Sequence, residues 1–155
     1  MVSIAGNYSD SLRSPVIMPC TLGMIKRLDL DSENIKLYNT NTETVEIYAR
    51  TISEKETALR LELELQDLNT TFTVCIFKKQ AETPSKLLKN YSYIENGHVR
   101  IVANLRKGQD QFTLVILHIE NVQSRTQINE FYSRLLLAKL KLSSQKPHDY
   151  FAVFE

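Results

Sequence analysis

Glycine is scarce in this 155-residue chain, at four residues, and cysteine is scarcer, at two. So few glycines leave little material for a loop of bare backbone amides around a phosphate. Neither G-x-x-x-x-G-K-[ST] nor G-x-G-x-x-G occurs. Cys20 and Cys75 are too few for a disulfide framework or a zinc site, and both sit among apolar neighbours, as small buried side chains do. His98, His118 and His148 share no metal-binding spacing, and a G-x-S-x-G nucleophile elbow is missing as well. Glu62 and Glu64 fall two apart on one strand, a spacing shared by a carboxylate pair and an ordinary solvated face. Nothing here leads us to expect an enzyme, a metal or a cofactor. No charged start followed by an apolar run marks a signal peptide, and no apolar stretch approaches the roughly 20 residues of a membrane span. The N-x-[ST] triplets at Asn7, Asn69 and Asn90 then read as chance matches, and the expected location is intracellular.

Strong charge of one sign is lacking too. The net charge is +1, and 43% apolar with 24% charged residues is ordinary for one soluble domain with tails. The distribution is less even. Residues 29–67 hold ten acidic and four basic side chains, a net of −6, whereas residues 78–107 hold seven basic and two acidic, a net of +5. Solvated faces would explain this, and so would a basic second half of the sheet.

What the chain does have is alternation. Residues 1–14 are small and polar and read as a loose arm. Pro19 and Gly23 punctuate residues 16–28. Residues 29–44 are mostly polar and rich in Asn and Thr, with one apolar cluster at Ile35, Leu37 and Tyr38 that suits a short edge strand or a loop anchor. Val45, Ile47 and Ala49 then alternate with Glu46, Tyr48 and Arg50, and residues 53–57 read as a turn. Leu59, Leu61, Leu63 and Leu65 alternate with Arg60, Glu62 and Glu64. Leucine and glutamate favour helix, but a helix would scatter those leucines around its circumference, so a strand is expected. Phe72, Val74 and Ile76 form the next inward row, opposite Thr71, Thr73, Cys75 and Phe77. Pro84 opens a short helix through Lys86, Leu87, Leu88 and Tyr91. Val99, Ile101, Ala103 and Leu105 mark a fourth strand, and residues 107–110 a hairpin turn. The fifth strand places Phe112, Leu114 and Ile116 on one face and Val115, Leu117 and Ile119 on the other.

Three strands, a short helix, two strands and a closing helix is the element order of the OB-fold, a small Greek-key barrel that binds oligonucleotides. The expected fold is mainly β: a five-stranded OB-fold barrel over 15–125, with its short helix between strands three and four. A long helix over 126–144 and a tail over 145–155 follow. That helix carries two apolar rows. Ile128, Phe131, Leu135, Ala138 and Leu142 follow one stripe, and Tyr132, Leu136 and Leu140, four apart, make a second beside it. One row serves the helix's own sheet; two imply a partner.

Binding chemistry is better represented than catalysis. Proteins that hold single strands combine a positive groove with rings on which bases stack. Phe77, Lys78 and Lys79 end the third strand, Arg100 points outward on the fourth, Arg106 and Lys107 follow it, and Phe112 opens the fifth. Phe77, at a strand end, suits core or stacking equally. Phe112 shares the phase of Leu114 and Ile116 and competes for the core.

Four segments in this order resemble the middle subunit of replication protein A. They are Ile17, Met18, Pro19, Cys20, Thr21 and Leu22; residues 99–105 followed by Arg106; residues 114–119; and Ile128, Asn129, Glu130 and Phe131. The resemblance covers about residues 15–145. It implies a nuclear, non-catalytic OB-fold subunit of a heterotrimer that binds single-stranded DNA in replication or repair. Its last helix would bundle with helices of a large and a small subunit. The resemblance also implies a stacking ring near Phe77 and another near Gly108, with Phe112 a few residues on. The family's phosphorylated arm is short here, with Ser3, Ser9, Ser11 and Ser14 available, and its C-terminal winged-helix domain has no counterpart before Glu155. Telomeric CST-type and telomerase-associated trimers share this architecture. They bring an alternative: a scaffold subunit with little DNA contact of its own.

Overall fold

The computed structural model describes residues 17–77 and 86–142. Its strands are β1 (Ile17–Pro19), β2 (Lys36–Leu37), β3 (Thr40–Asn41), β4 (Thr44–Glu56), β5 (Arg60–Asp67), β6 (Thr70–Phe77), β7 (His98–Lys107) and β8 (Phe112–Asn121). The five long strands pair antiparallel in the order β6-β5-β4-β7-β8, β1 adds parallel to β4, and β2 and β3 form a small hairpin apart. The sheet curls until β6 and β8 adjoin, with Phe72 and Phe112 lining one hollow. No ladder among the described residues joins these two strands, so the barrel stays open along that seam.

Period-two alternation sets the core. Val45, Ile47, Ala49, Leu61, Leu63, Leu65, Phe72, Val74, Ile76, Val99, Ile101, Ala103 and Leu105 all face inward and are buried. Helix Leu22–Lys26 covers part of this interior with Leu22 and Ile25. Thr21 caps it by accepting from Met24 N at 3.2 Å, and Leu22 N donates to Asp67 Oδ2 at 2.7 Å. Leu87, Leu88 and Tyr91 pack on the core from the connection between β6 and β7, where Lys86 and Leu87 are helical. Pro84, expected to open that helix, lies outside the described residues.

Three sequence expectations change. Residues 53–57 are not a turn: β4 continues to Glu56 and pairs Ser53 with Glu64 and Glu56 with Leu61. The polarity of that stretch reports a hairpin projecting into solvent. The real turn is tighter, with Thr57 N donating to Arg60 O at 2.8 Å, and it throws Leu59 out of the leucine row to 76% exposure. The third change is in β8. Val102 pairs with His118 and Ala103 with Ile116, so Leu117 is an extra, bulged residue. The bulge reverses the phase, and Ile119 becomes fully buried instead of facing outward.

The long helix, Arg125–Leu142, starts with a Ser-x-x-Gln box: Gln127 Oε1 accepts from Ser124 N at 3.2 Å and Gln123 N at 2.9 Å. Lys139 and Lys141 in its last turn suit the negative end of the helix dipole. It lies on the outer face of the sheet, where Phe131 and Leu135 bury against Tyr48. The Phe131 and Tyr48 rings are 4.6 Å apart, and Tyr132 meets Phe131 edge-on at 5.3 Å. Ile128 and Tyr132 join this cluster, so Tyr132 belongs with the row that faces the protein's own sheet. Beyond Leu135 no described helix residue is buried. Leu136, Leu137 and Leu142 are 55%, 49% and 39% exposed.

Phe131→Ala should therefore lower the unfolding free energy by about 3 kcal/mol or more and speed amide exchange through residues 125–142. Leu136→Ala should stay within about 0.5 kcal/mol in the isolated chain. Denaturant unfolding and hydrogen exchange measure both.

Candidate functional site

The residues expected to meet nucleic acid fall in three places. The first is the end of β6. Phe77 faces outward, directly opposite Arg60 on β5. Of the four described phenylalanines, Phe72, Phe112 and Phe131 are buried, whereas Phe77 is 64% exposed. Thr57, Leu59, Arg60 and Phe77 line a hollow of about 620 Å³. Arg60 Nε pairs with Glu62 Oε2 at 2.8 Å. Glu62 and Glu64 share the outward face of β5, partly exposed, so positive charge sits at the rim of this face and not along its middle. Lys78 and Lys79 are the next residues in sequence and lie outside the described residues.

The second place is the hairpin between β7 and β8. Arg106 lines a hollow with Glu33 and Glu43, and Lys107 Nζ donates to Ser32 O. The hairpin carries Gly108 for a steric reason: a Cβ there would stand 2.4 Å from Gln111 O. No aromatic side chain can take that position without moving the turn. Phe112, the neighbouring candidate, is 3% exposed within the core, so its ring packs the barrel and is not available to a base. This hairpin follows the strand that pairs with the Thr44 end of β4, whereas the turn beside Phe77 follows the Glu56 end.

The third place is beneath the long helix, where Arg100 is paired with carboxylates. Arg100 does face outward, as expected, but its Nε lies 2.5 Å from Glu46 Oε2 and its Nη1 lies 3.1 Å from Glu120 Oε1. Arg134 of the helix holds the other Glu46 oxygen at 2.5 Å and stands 5.8 Å from the Phe131 ring centre. Sequence reasoning missed Glu46, Arg134, Leu59 and Arg60. The first two pair across 88 residues, which no local pattern reveals. Leu59 shares the sequence phase of the core leucines Leu61, Leu63 and Leu65.

Burial alone would raise the Glu46 carboxyl. Hydrogen bonds from Arg134 and Arg100, with their charges, outweigh it and hold the group below the usual carboxylate range. Among the described residues no group of three His, Cys, Asp or Glu is placed to hold a metal, and no helix is long and apolar enough to cross a membrane.

A curled antiparallel sheet in this strand order, with Leu22 and Ile25 beneath it and a long helix outside, makes the chain an OB-fold protein. Solved structures agree with that class. One is a chain of a replication protein A heterotrimer bound to single-stranded DNA: TM-score 0.68, 14% identity, covering 83% of this chain and 99% of that one. Another is a chain of the Schizosaccharomyces pombe Stn1–Ten1 complex, with TM-score 0.69, 10% identity and coverage of 83% and 94%. A chain from yeast Stn1 and Ten1 has TM-score 0.65 and 13% identity, covering 91% of this chain and 83% of that one. No family model and no curated protein matches the sequence. At these identities the likeness is one of fold.

Glu46 gives a pH test. Its folded pKa is lowered, so its stabilisation is present above the unfolded value and is lost as pH falls through the folded one. Glu46→Gln should cost about 1–3 kcal/mol at neutral pH. The gap to the parent chain should narrow below about pH 4, read by urea unfolding across pH.

Proposed function

We propose that this chain is a non-catalytic OB-fold subunit of a replication-protein-A-like assembly that binds single-stranded DNA in the nucleus, in replication, repair or telomere maintenance. The observation that carries the reading is Phe77: a ring left in solvent at the end of β6, on the face that OB-folds offer to oligonucleotides. Two lysines follow it in sequence, and Arg60 stands across from it. Arg106 and Lys107 belong to the hairpin at the other end of β4, the position of one of the two loops that OB-folds use for ligands. The assembly half of the reading rests on the long helix. Ile128, Phe131, Tyr132 and Leu135 serve the protein's own sheet. Leu136, Ala138, Leu140 and Leu142, with Leu137, remain for helices of large and small OB-fold subunits.

A second reading has its own support. With Phe112 buried, Gly108 barring a ring and Arg100 committed to carboxylates, a scaffold subunit of a telomere- or telomerase-associated complex with little DNA contact also fits.

Fluorescence anisotropy with oligo-dT at two salt concentrations separates the two. Phosphate-driven binding weakens steeply with salt. Phe77→Ala should cost about 1–3 kcal/mol of affinity, and Lys78→Ala or Lys79→Ala should each lower the salt slope by about 1. Unchanged affinity in all three variants would leave the scaffold reading standing. For the assembly, Leu136→Asp with Leu140→Asp should strip co-purifying subunits identified by mass spectrometry, while thermal unfolding of the isolated chain stays close to the parent's.

A further inference from the structure

We propose that Leu59 and Phe77 are facing walls of one slot that takes a single unstacked nucleobase, with Arg60 at its rim. This rests on the single-strand reading above and adds a residue to it that neither alternation nor resemblance supplied.

Leu59, at 76% exposure, stands further into solvent than any other large apolar side chain among the described residues. Leu68, in the turn after β5, is 73% exposed, so exposure alone does not single Leu59 out; its surroundings do. The hairpin tip that carries it is held in shape. Thr57 N donates to Arg60 O at 2.8 Å, and Thr57 Oγ1 accepts from Leu59 N at 3.3 Å and Arg60 N at 3.1 Å. Leu59 is thus presented by a closed turn. The register then sets what it faces. Arg60, the next residue, is the cross-strand partner of Phe77, and Thr57, Leu59, Arg60 and Phe77 together line the hollow of about 620 Å³. An aliphatic wall and an aromatic wall suit a flat ring. The Arg60 guanidinium, tethered through Nε to Glu62, puts a cation beside the two walls, and Lys78 and Lys79 come next in the sequence. A flat apolar ring carried on an anionic chain is the chemistry of single-stranded nucleic acid. A purely apolar peptide would have no use for the cations.

The test uses the full chain, in its purified assembly, with labelled oligo-dT and with a deoxyribose-phosphate strand of equal length that carries no bases. Leu59→Ala should weaken oligo-dT binding about fivefold, and less than that on a Phe77→Ala background, because two walls of one slot are coupled. Leu59→Met should restore binding. On the abasic strand, Leu59→Ala should change nothing. The Leu59 side chain is exposed, so unfolding curves of Leu59→Ala and Leu59→Met should superimpose on the parent's. If Leu59→Ala binds oligo-dT like the parent while Phe77→Ala weakens it, the slot is overturned and the single-strand reading survives. Equal loss on base-bearing and abasic strands also overturns the slot, since the hollow would then be serving phosphate or a peptide. If no salt-dependent binding is found, both fall.

Discussion

Glu46 carries its charge where almost no water reaches it, and two arginines from separate elements make that tolerable. Arg100 comes from the neighbouring strand and Arg134 from a helix 88 residues along the chain, and each takes one carboxylate oxygen. Such a bridge adds little net stability, because desolvation offsets most of the attraction. What it fixes is geometry. With Val45, Ile47 and Ala49 facing the barrel and Glu46 and Tyr48 facing the helix, β4 is buried on both sides over this stretch. Phe131 supplies the apolar half of the same contact. The ions and the rings together set the rotation of the long helix about its axis.

That rotation decides what the helix has left to offer. Once Phe131 and Leu135 point at the sheet, Leu136 and Leu137 are turned away from it and stand about half exposed. The same contact commits Arg100 to Glu46 and Glu120. A cation that neutralises Glu46 and Glu120 has little left for a third anion, so the outer face under the helix is built for holding the protein together. At the far end of β5 and β6, away from the long helix, the ring of Phe77 is 64% exposed.

The long strands and their order were legible because period-two burial leaves a direct trace in sequence. Features that break the period were not. The bulge at Leu117 moves Ile119 across the sheet, and nothing in the run 112–121 announces the extra residue. The extension of β4 past Ser53 was hidden because an exposed hairpin and a turn share one composition. The helix start was written plainly, as Ser124 followed three residues later by Gln127. Its docked face was half legible: Ile128, Phe131 and Leu135 followed from periodicity, but Tyr132 swings to the same cluster because its ring meets Phe131 edge-on. The candidate site was less legible still. Phe77 stood out, but Leu59 looked like core, since only the hydrogen bonds of Thr57 show that the row is broken before it.

The exposed apolar residues of the helix and those around Phe77 differ in kind, and the difference bears on what each can hold. On the helix the exposed side chains are leucines, and Leu136 with the half-buried Leu140 has the i, i+4 spacing of a ridge that interdigitates with the grooves of another helix. They include no aromatic ring, and nothing there would hold a flat ligand in one orientation. Around Phe77 there is one ring, one aliphatic side chain and one guanidinium, brought together by a cross-strand pair and a tight turn. Two side chains bury too little area to hold a protein partner by themselves, but stacking a single base needs no more than a ring and a neighbour that excludes water. The aliphatic row therefore suits other chains, and the strand end suits a ligand that is planar, small in cross-section and negatively charged along its backbone.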